Sequence, residues 1–211
     1  MIDFLFQRKN YLILIFTVAY LIAFTVNAII WANFEFLYYT VLMVVIIYLV
    51  ITLTKKLHLG FFILFNLSIL GFLHLLGGNF YLGSVRLYDF YLISGIIRYD
   101  NFIHTYATFI ATLTLYSLLF DFVDERIRQN YPIFALILVL MAIGLGAINE
   151  LVELFAVVAF GVAEKVGGYF NNALDLLFNT IGAILATVVI HFYLERPKFI
   201  QRIDGQTKKD N

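Results

Sequence analysis

Six apolar runs, each close to the length that crosses a lipid bilayer, constrain the fold more than any other feature of this sequence. They cover residues 11–30, 37–54, 59–76, 102–120, 133–160 and 173–194. A helix of about 20 apolar residues spans the hydrocarbon core, and backbone amides in lipid must be satisfied within the helix or a closed barrel. We therefore predict an all-α fold, a polytopic membrane bundle of six transmembrane helices. It forms a single domain over residues 1–198, followed by a disordered cytoplasmic tail at 199–211.

The composition supports this class and narrows the chemistry. Of the 211 residues, 63% are hydrophobic and 13% are charged, whereas soluble domains carry about 25% charged residues. The lack of cysteine excludes disulfides, thiolate metal sites and thiol nucleophiles. A formal net charge of +0 gives no basic surface for nucleic acid. The expected partner is the lipid bilayer, and the sequence leaves the oligomeric state open.

Lysine and arginine orient the bundle, because cytoplasmic loops of membrane proteins carry an excess of them. With six spans, eleven of these residues lie on the side that holds both termini: Arg8, Lys9, Lys55, Lys56, Arg126, Arg128, Arg196, Lys198, Arg202, Lys208 and Lys209. The opposite side has three, which are Arg86, Arg98 and Lys165. Both termini are therefore predicted to be cytoplasmic.

Several polar side chains lie inside the apolar runs or at their mouths, all near the predicted outer face. They are His74, Asp100, His104, Glu150, Glu153, Asp175 and Asn179. A charge in hydrocarbon is unfavourable by several kcal/mol unless it is paired or lines a watery cavity, so it marks function by default. Small residues share the helix faces of these side chains and allow close helix approach. We expect the polar groups to converge on one site.

Oxygen and imidazole groups without thiolates suit a divalent ion such as Zn, Mn, Fe or Mg. The candidate metal ligands are Asp100, His104, Glu150, Glu153 and Asp175. His74 and Asn179 are predicted to lie beside the ligands and orient them. The candidate catalytic residues are His104 and Glu153, because imidazole titrates near neutral pH and suits proton transfer. An acid/base pair without metal is the alternative.

Structural explanations compete with this site. Asp100 and Asp175 each have the alternative role of a helix N-cap, and His74 that of an interfacial histidine. Glu150 and Glu153 are harder to explain structurally, because two carboxylates on one apolar face repel unless a proton or cation intervenes. The long connection 77–101 is rich in aromatic residues, which favour the headgroup level. It is a candidate lid over the site.

Four short motifs resemble the YjdF-like inner-membrane family, over about residues 70–186. They contain His74, Gly77 and Tyr81; Tyr99, Asp100, Asn101 and His104; Glu150 and Glu153; and Asp175, Asn179 and Gly182. The last motif also resembles the wider VanZ-like group of membrane proteins. The first resemblance implies a multi-pass protein of the cell (inner) membrane. The second implies a role in glycopeptide tolerance at the cell surface.

Three kinds of function fit the sequence. The first is a membrane-embedded hydrolase or transferase that acts on a lipid or lipid-linked substrate. The second is a transporter or a proton or ion pathway, which needs polar groups across the whole bilayer; no acidic residue lies in the inner half of any span. The third is a non-catalytic VanZ-like envelope or resistance factor. The one-sided distribution of charge favours the enzyme.

Overall fold

Six long helices form the protein in a computed structural model that describes residues 8–57, 59–161 and 168–195. Within these ranges, the long helices are α1 (Arg8–Ile30), α2 (Phe34–Leu57), α3 (Phe61–Asn79), α4 (Tyr99–Leu119), α5 (Tyr131–Phe160) and α6 (Tyr169–Val189). A short helix, Glu125–Gln129, lies between α4 and α5, and a π-helical turn, Ile190–Glu195, follows α6. Each of the six helices α1–α6 is long and apolar enough to cross a membrane. The predicted six-helix, all-α membrane bundle is confirmed. The predicted tail at 199–211 lies outside the described residues, and the cytoplasmic position of the termini stays a prediction.

The helices α3, α4 and α6 extend beyond their predicted spans at the end of the bundle where α3 ends and α4 begins, which we call the site end. The helix α3 continues through Gly77 and Gly78. A β-carbon at Gly78 would fall on the ring of Phe36, and one at Gly77 would lie 2.6 Å from the ring of Tyr88. These glycines therefore make room for aromatic rings and do not end the helix.

The helices α4 and α6 begin earlier than predicted, and their first residues show whether Asp100 and Asp175 are helix N-caps. The N-cap residues of these helices are Arg98 and Gly168. Asp100 lies in the first turn of α4, and Asp175 lies deeper, in the second turn of α6, where its side chain is fully buried. The N-cap explanation of these two carboxylates is therefore wrong.

Close packing of α4, α5 and α6 builds the polar half of the bundle. A β-carbon at Gly182 of α6 would fall on the carbonyl oxygen of Thr105 in α4. One at Gly146 of α5 would lie 2.5 Å from Asn179 Nδ2 in α6. Small residues let membrane helices approach closely, and here they bring the backbones of three helices around the predicted site residues.

Two aromatic and aliphatic clusters hold the bundle at its two ends. The cluster at the site end joins α1–α5 and contains Tyr20, Phe36, Tyr39, Leu75, Tyr88, Tyr99, Ile103 and Ala156. The other joins α4, α5 and α6 and contains Ile110, Leu113, Tyr116, Phe134, Leu138, Ala186 and Ile190. Large apolar side chains such as Val158 and Leu151 are exposed on the outside, as expected of a surface in contact with lipid tails.

The connection between α3 and α4 folds into two small hairpins that the sequence did not predict. In the first, β1 (Tyr81–Leu82) pairs with β2 (Val85–Arg86); in the second, β3 (Tyr91–Ile93) pairs with β4 (Ile97–Arg98). Each turn contains a glycine with positive φ, 65° at Gly83 and 69° at Gly95. A 3₁₀ turn between the hairpins carries Tyr88 into the bundle.

Candidate functional site

His104 is the centre of the polar cluster, and its Nε2 atom faces two aspartates. Nε2 lies 3.5 Å from Asp100 Oδ1, one turn earlier on α4. It lies 3.7 Å from Asp175 Oδ1 on α6. The side chain of His104 is 8% exposed and that of Asp175 is 0% exposed. One imidazole nitrogen and two carboxylate oxygens therefore meet in a buried position.

The other imidazole nitrogen, Nδ1, faces a different set of acceptors. Asn179 Oδ1 lies 3.3 Å away and Glu150 Oε1 lies 3.8 Å away. One carboxylate oxygen each from Glu150 and Glu153 forms a second potential ligand group with His104, with all atoms within 4.8 Å of one another. The five predicted metal-ligand candidates are therefore arranged as two carboxylate pairs that share one imidazole.

Two asparagines donate hydrogen bonds to two carboxylates of the cluster, those of Asp175 and Glu153. Asn171 Nδ2 donates to Asp175 Oδ2 over 2.7 Å, and the Arg98 guanidinium donates to Asn171 Oδ1. Asn149 Nδ2 donates to Glu153 Oε1 over 2.7 Å, one helical turn away. The outward-facing oxygen of Asp175 is fixed in this way, while its other oxygen points to His104.

Three carboxylate oxygens in the cluster have no hydrogen-bond partner among the described residues. They are Asp175 Oδ1, Glu150 Oε1 and Glu150 Oε2. The great majority of buried polar atoms in proteins are hydrogen-bonded, and a buried anion without a partner is strongly unfavourable. An acceptor oxygen on a fully buried side chain indicates that this position binds a proton or a cation.

The spacing of the Asp100–His104–Asp175 group fits a metal ion. With bonds of 2.0–2.2 Å, the ligand atoms of a tetrahedral zinc ion lie about 3.3–3.6 Å apart. The distances of 3.5 and 3.7 Å from Nε2 to the two aspartate oxygens are close to this range. The donor atoms, two oxygens and an imidazole nitrogen, also suit the expected metals. This buried cluster can hold a divalent ion, with one position left for water or substrate.

His74 connects the site to the connection between α3 and α4. Tyr88 Oη and His74 Nδ1 are hydrogen-bonded over 2.6 Å, and the rings of Phe36 and Tyr39 also pack against His74. Burial raises the pKa of Tyr88 well above its usual value, so the hydroxyl stays protonated. His74 therefore does not contact the carboxylates directly; it fixes Tyr88, which covers the site end.

A cavity of about 650 Å³ leads away from the cluster into the bundle. His74, Asp100, His104, Glu153 and Asn179 line its polar end. Further along, the walls come mainly from aliphatic residues, including Leu14, Leu42, Ile47, Leu64 and Leu67. The volume falls within the range of small-molecule and cofactor sites, and the charged groups that line the cavity are confined to one end.

Comparison with known proteins places the chain among membrane proteins. A family model with the description "Predicted membrane protein (DUF2238)" matches residues 11–196. The chain belongs to this family. No curated protein and no solved structure matches it. The family match confirms the expected multi-pass membrane class of this DUF2238 protein, while the similarity to the VanZ-like group stays a prediction.

Sequence reasoning missed four supporting residues: Tyr88, Arg98, Asn149 and Asn171. A helical signal was present for two of them, since Asn149 precedes Glu153, and Asn171 precedes Asp175, by four residues, the spacing of neighbours on a helix face. Asn171 was not predicted as a site residue because α6 was predicted to begin at residue 173. Tyr88 and Arg98 reach the site only through the fold of the hairpins, which no local pattern indicates.

Proposed function

We propose that this protein is a membrane-embedded, metal-dependent hydrolase or transferase that acts on a lipid or lipid-linked substrate at the outer face of the cell membrane. The observation that carries the proposal is the fully buried Asp175 oxygen, which has no hydrogen-bond partner among the described residues and faces His104 Nε2 and Asp100. The outer location follows from the excess of lysine and arginine on the opposite side.

The surroundings of the two His104 nitrogens suggest which one carries a hydrogen and which one binds a proton or a cation. Nδ1 faces only acceptors, Asn179 Oδ1 and Glu150 Oε1, so it carries a hydrogen. Nε2 also faces acceptors, so it either carries a second proton or binds a cation between Asp100 and Asp175. The cation version leaves a neutral imidazole as ligand, oriented through its other nitrogen, an arrangement common in metal sites.

In this arrangement Glu153 is the general base. Asp100, His104 and Asp175 would hold a divalent ion, which would supply Lewis acidity for activating a nucleophile. Glu153 lies within 4.8 Å of His104 and accepts a hydrogen bond from Asn149. It takes a proton from a water or an acceptor hydroxyl as that oxygen bonds to the substrate headgroup. The bond between the headgroup and its leaving group breaks, and the leaving group receives the proton. Without metal, His104 carries both protons and donates one to the leaving group, Glu153 remains the base, and Asp100 and Glu150 orient the imidazole.

Lipid profiles of cells that lack the protein, and of the same cells expressing each variant, test the enzyme. His104→Gln and Glu153→Gln keep side-chain volume but remove the ligand or the base, so both should fail to restore the wild-type profile. His191→Gln is the control, because His191 lies against Tyr131, outside the cluster. If wild type, H104Q and E153Q restore the same profile, the protein is not an enzyme of this kind.

A transporter is the second candidate, because the cavity extends far from the polar cluster. Asn10 near the start of α1 and Val50 near the end of α2 line it at the end opposite the site. Flux of ions or solutes into liposomes containing the purified protein measures this directly. Flux in wild type that is lost in H104Q, together with unchanged lipid profiles, would favour the transporter.

A further inference from the structure

The cavity has two chemically distinct parts, and the long apolar part has no role in the chemistry described above. Glu35 near one end of α2 and Ile51 near the other both line it. Sixteen residues separate them, so the cavity is roughly 24 Å long at 1.5 Å per residue. The hydrocarbon core of a bilayer is about 30 Å thick. The cavity therefore reaches well past the middle of the membrane.

The polar side chains in the apolar part satisfy one another or the backbone. Thr17 and Ser68 share a hydrogen bond of 2.6 Å, and Thr17 also donates to the Ile13 carbonyl over 2.8 Å. Thr108 donates to the carbonyl of His104 over 2.8 Å. Hydroxyl groups bonded in this way offer little to an ion or a polar solute. The wall at this depth is effectively apolar.

The cavity opens sideways between α2 and α5. Three of its lining residues are also exposed on the outside of the bundle: Ile46 of α2 is 58% exposed, and Leu145 and Ile148 of α5 are 45% and 56% exposed. Near the site end the two helices are joined by the ring of Tyr38, which packs on Phe155 and Phe160. The opening thus lies within the membrane-spanning part, where lipid tails are the neighbouring molecules.

The geometry points to a binding site for a long hydrocarbon chain of a membrane lipid, which enters between α2 and α5 and places its polar headgroup at His104. A chain with no polar groups along its length matches the apolar walls, and only the headgroup meets charged residues. Arg86 and Arg98 line the polar end together with four carboxylates, and Arg86 is ion-paired with Glu35 and Asp89, so the headgroup meets charges of both signs. This inference deepens the proposed function, on which the role of the headgroup rests.

Photolabelling with a lipid tests the chain site without requiring turnover or metal. The full-length protein is reconstituted into vesicles of phosphatidylethanolamine and phosphatidylglycerol, in which some phosphatidylglycerol carries a diazirine near the end of one acyl chain. After illumination, mass spectrometry maps the labelled residues. We expect label on cavity residues such as Ile47, Leu67 and Ala111, in addition to residues on the outer surface.

Variants that fill the cavity should remove this label. Ala111 lines the cavity, so Ala111→Phe occupies the space of the chain and should abolish most cavity labelling. Ala147→Phe is the matched control, since Ala147 is exposed and does not line the cavity. A second pair on α2, Leu42→Trp against the exposed Leu49→Trp, gives the same comparison if A111F does not fold. Label confined to the outer surface in wild type, or cavity labelling that both filling variants leave unchanged, would overturn the inference.

Two further measurements test separately the entry of the lipid chain between α2 and α5 and the dependence of chain binding on the metal site. The chain has no cysteine, so Ile46→Cys with Ile148→Cys introduces a single pair that a thiol cross-linker can bridge across the opening. The bridged protein should lose cavity labelling and regain it when a cleavable linker is cut; full labelling with the bridge in place contradicts entry between α2 and α5. Asp175→Asn should keep the label, because chain binding does not need the metal. Failure of the metal site therefore leaves the chain site standing, and the reverse also holds.

Discussion

The two halves of the bundle differ in what they bury. The helices α4, α5 and α6 bury carboxylates, amides and an imidazole between backbones brought close by glycines. The helices α1, α2 and α3 meet mainly through aromatic rings and supply the aliphatic walls of the cavity. Charged groups in a membrane need fixed partners, so the polar half is tightly packed. The other half leaves space for the cavity, as expected if the proposed reactive site lies beside the proposed lipid-chain site.

The largest effect is expected from breaking the tight packing of the polar half. Gly182→Leu places a side chain on the backbone of Thr105, which cannot move aside without separating α4 from α6. Overpacking of this kind costs about 1–3 kcal/mol or more of the free energy of unfolding. Thermal unfolding in detergent measures it. The matched control is Gly144→Leu, where a β-carbon meets nothing within 4 Å; equal melting temperatures for the two variants would contradict the packing described.

The next effect distinguishes the two carboxylate pairs around His104. Asp100→Asn removes a ligand, so binding of Zn²⁺ or Mn²⁺ should weaken by more than the ~10–100-fold typical of residues behind the ligands. Glu153→Gln should leave metal affinity nearly unchanged and abolish turnover. Isothermal titration of the purified, metal-stripped protein compares them. The reverse order would assign the ion to Glu150 and Glu153.

A smaller effect is expected from the residue that orients His104. Asn179→Ala removes the acceptor for Nδ1 at 3.3 Å and should weaken metal binding by about 10–100-fold. Asn66→Ala is the comparison, because it removes a hydrogen bond of 2.7 Å to Tyr106 that lies away from the cluster. Equal metal affinities of the two variants would show that Asn179 has no orienting role.

The smallest effect concerns the contact between the connection and α3. Tyr88→Phe removes the hydrogen bond to His74, a loss of about 0.5–1.5 kcal/mol in the free energy of unfolding. Because burial raises the pKa of Tyr88 in the folded protein, its contribution is complete below about pH 10, the usual tyrosine pKa, and falls as pH rises above it. Chemical unfolding at several pH values measures this. The exposed Tyr91→Phe is the control, and a loss that begins near neutral pH would contradict the buried, protonated state.

The sequence was sufficient to predict the six spans, because bilayer thickness and the helical rise fix their length. The depth of the site residues in the membrane stays a prediction. Helix ends were less predictable. Gly77 and Gly78 resemble a helix stop, yet they continue α3 because Tyr88 and Phe36 pack on them. Asn171 resembles a loop residue, yet it is helical because Asp175 and Arg98 satisfy its amide.

The arrangement within the site required the tertiary structure. Spacing along α4 and α5 predicted which side chains share a helix face, but it did not show that His104 separates the carboxylates into two pairs. The cavity is a space between six helices, and the exposed lining residues Ile46 and Ile148 come from two helices far apart in the sequence. No local pattern in the sequence encodes such a space, since the same aliphatic residues also face lipid.

The metal content of the purified protein tests the metal centre most directly. Elemental analysis of the wild type, gently purified and supplemented with Zn, Mn, Fe or Mg, should find about one divalent ion per chain bound to the Asp100–His104–Asp175 group. Asp175→Asn should lose this ion while it keeps the melting behaviour of a folded bundle, and His191→Gln should keep it. A well-folded wild type without stoichiometric metal, or an equal metal content in D175N, would contradict the metal centre and leave His104 as a proton carrier.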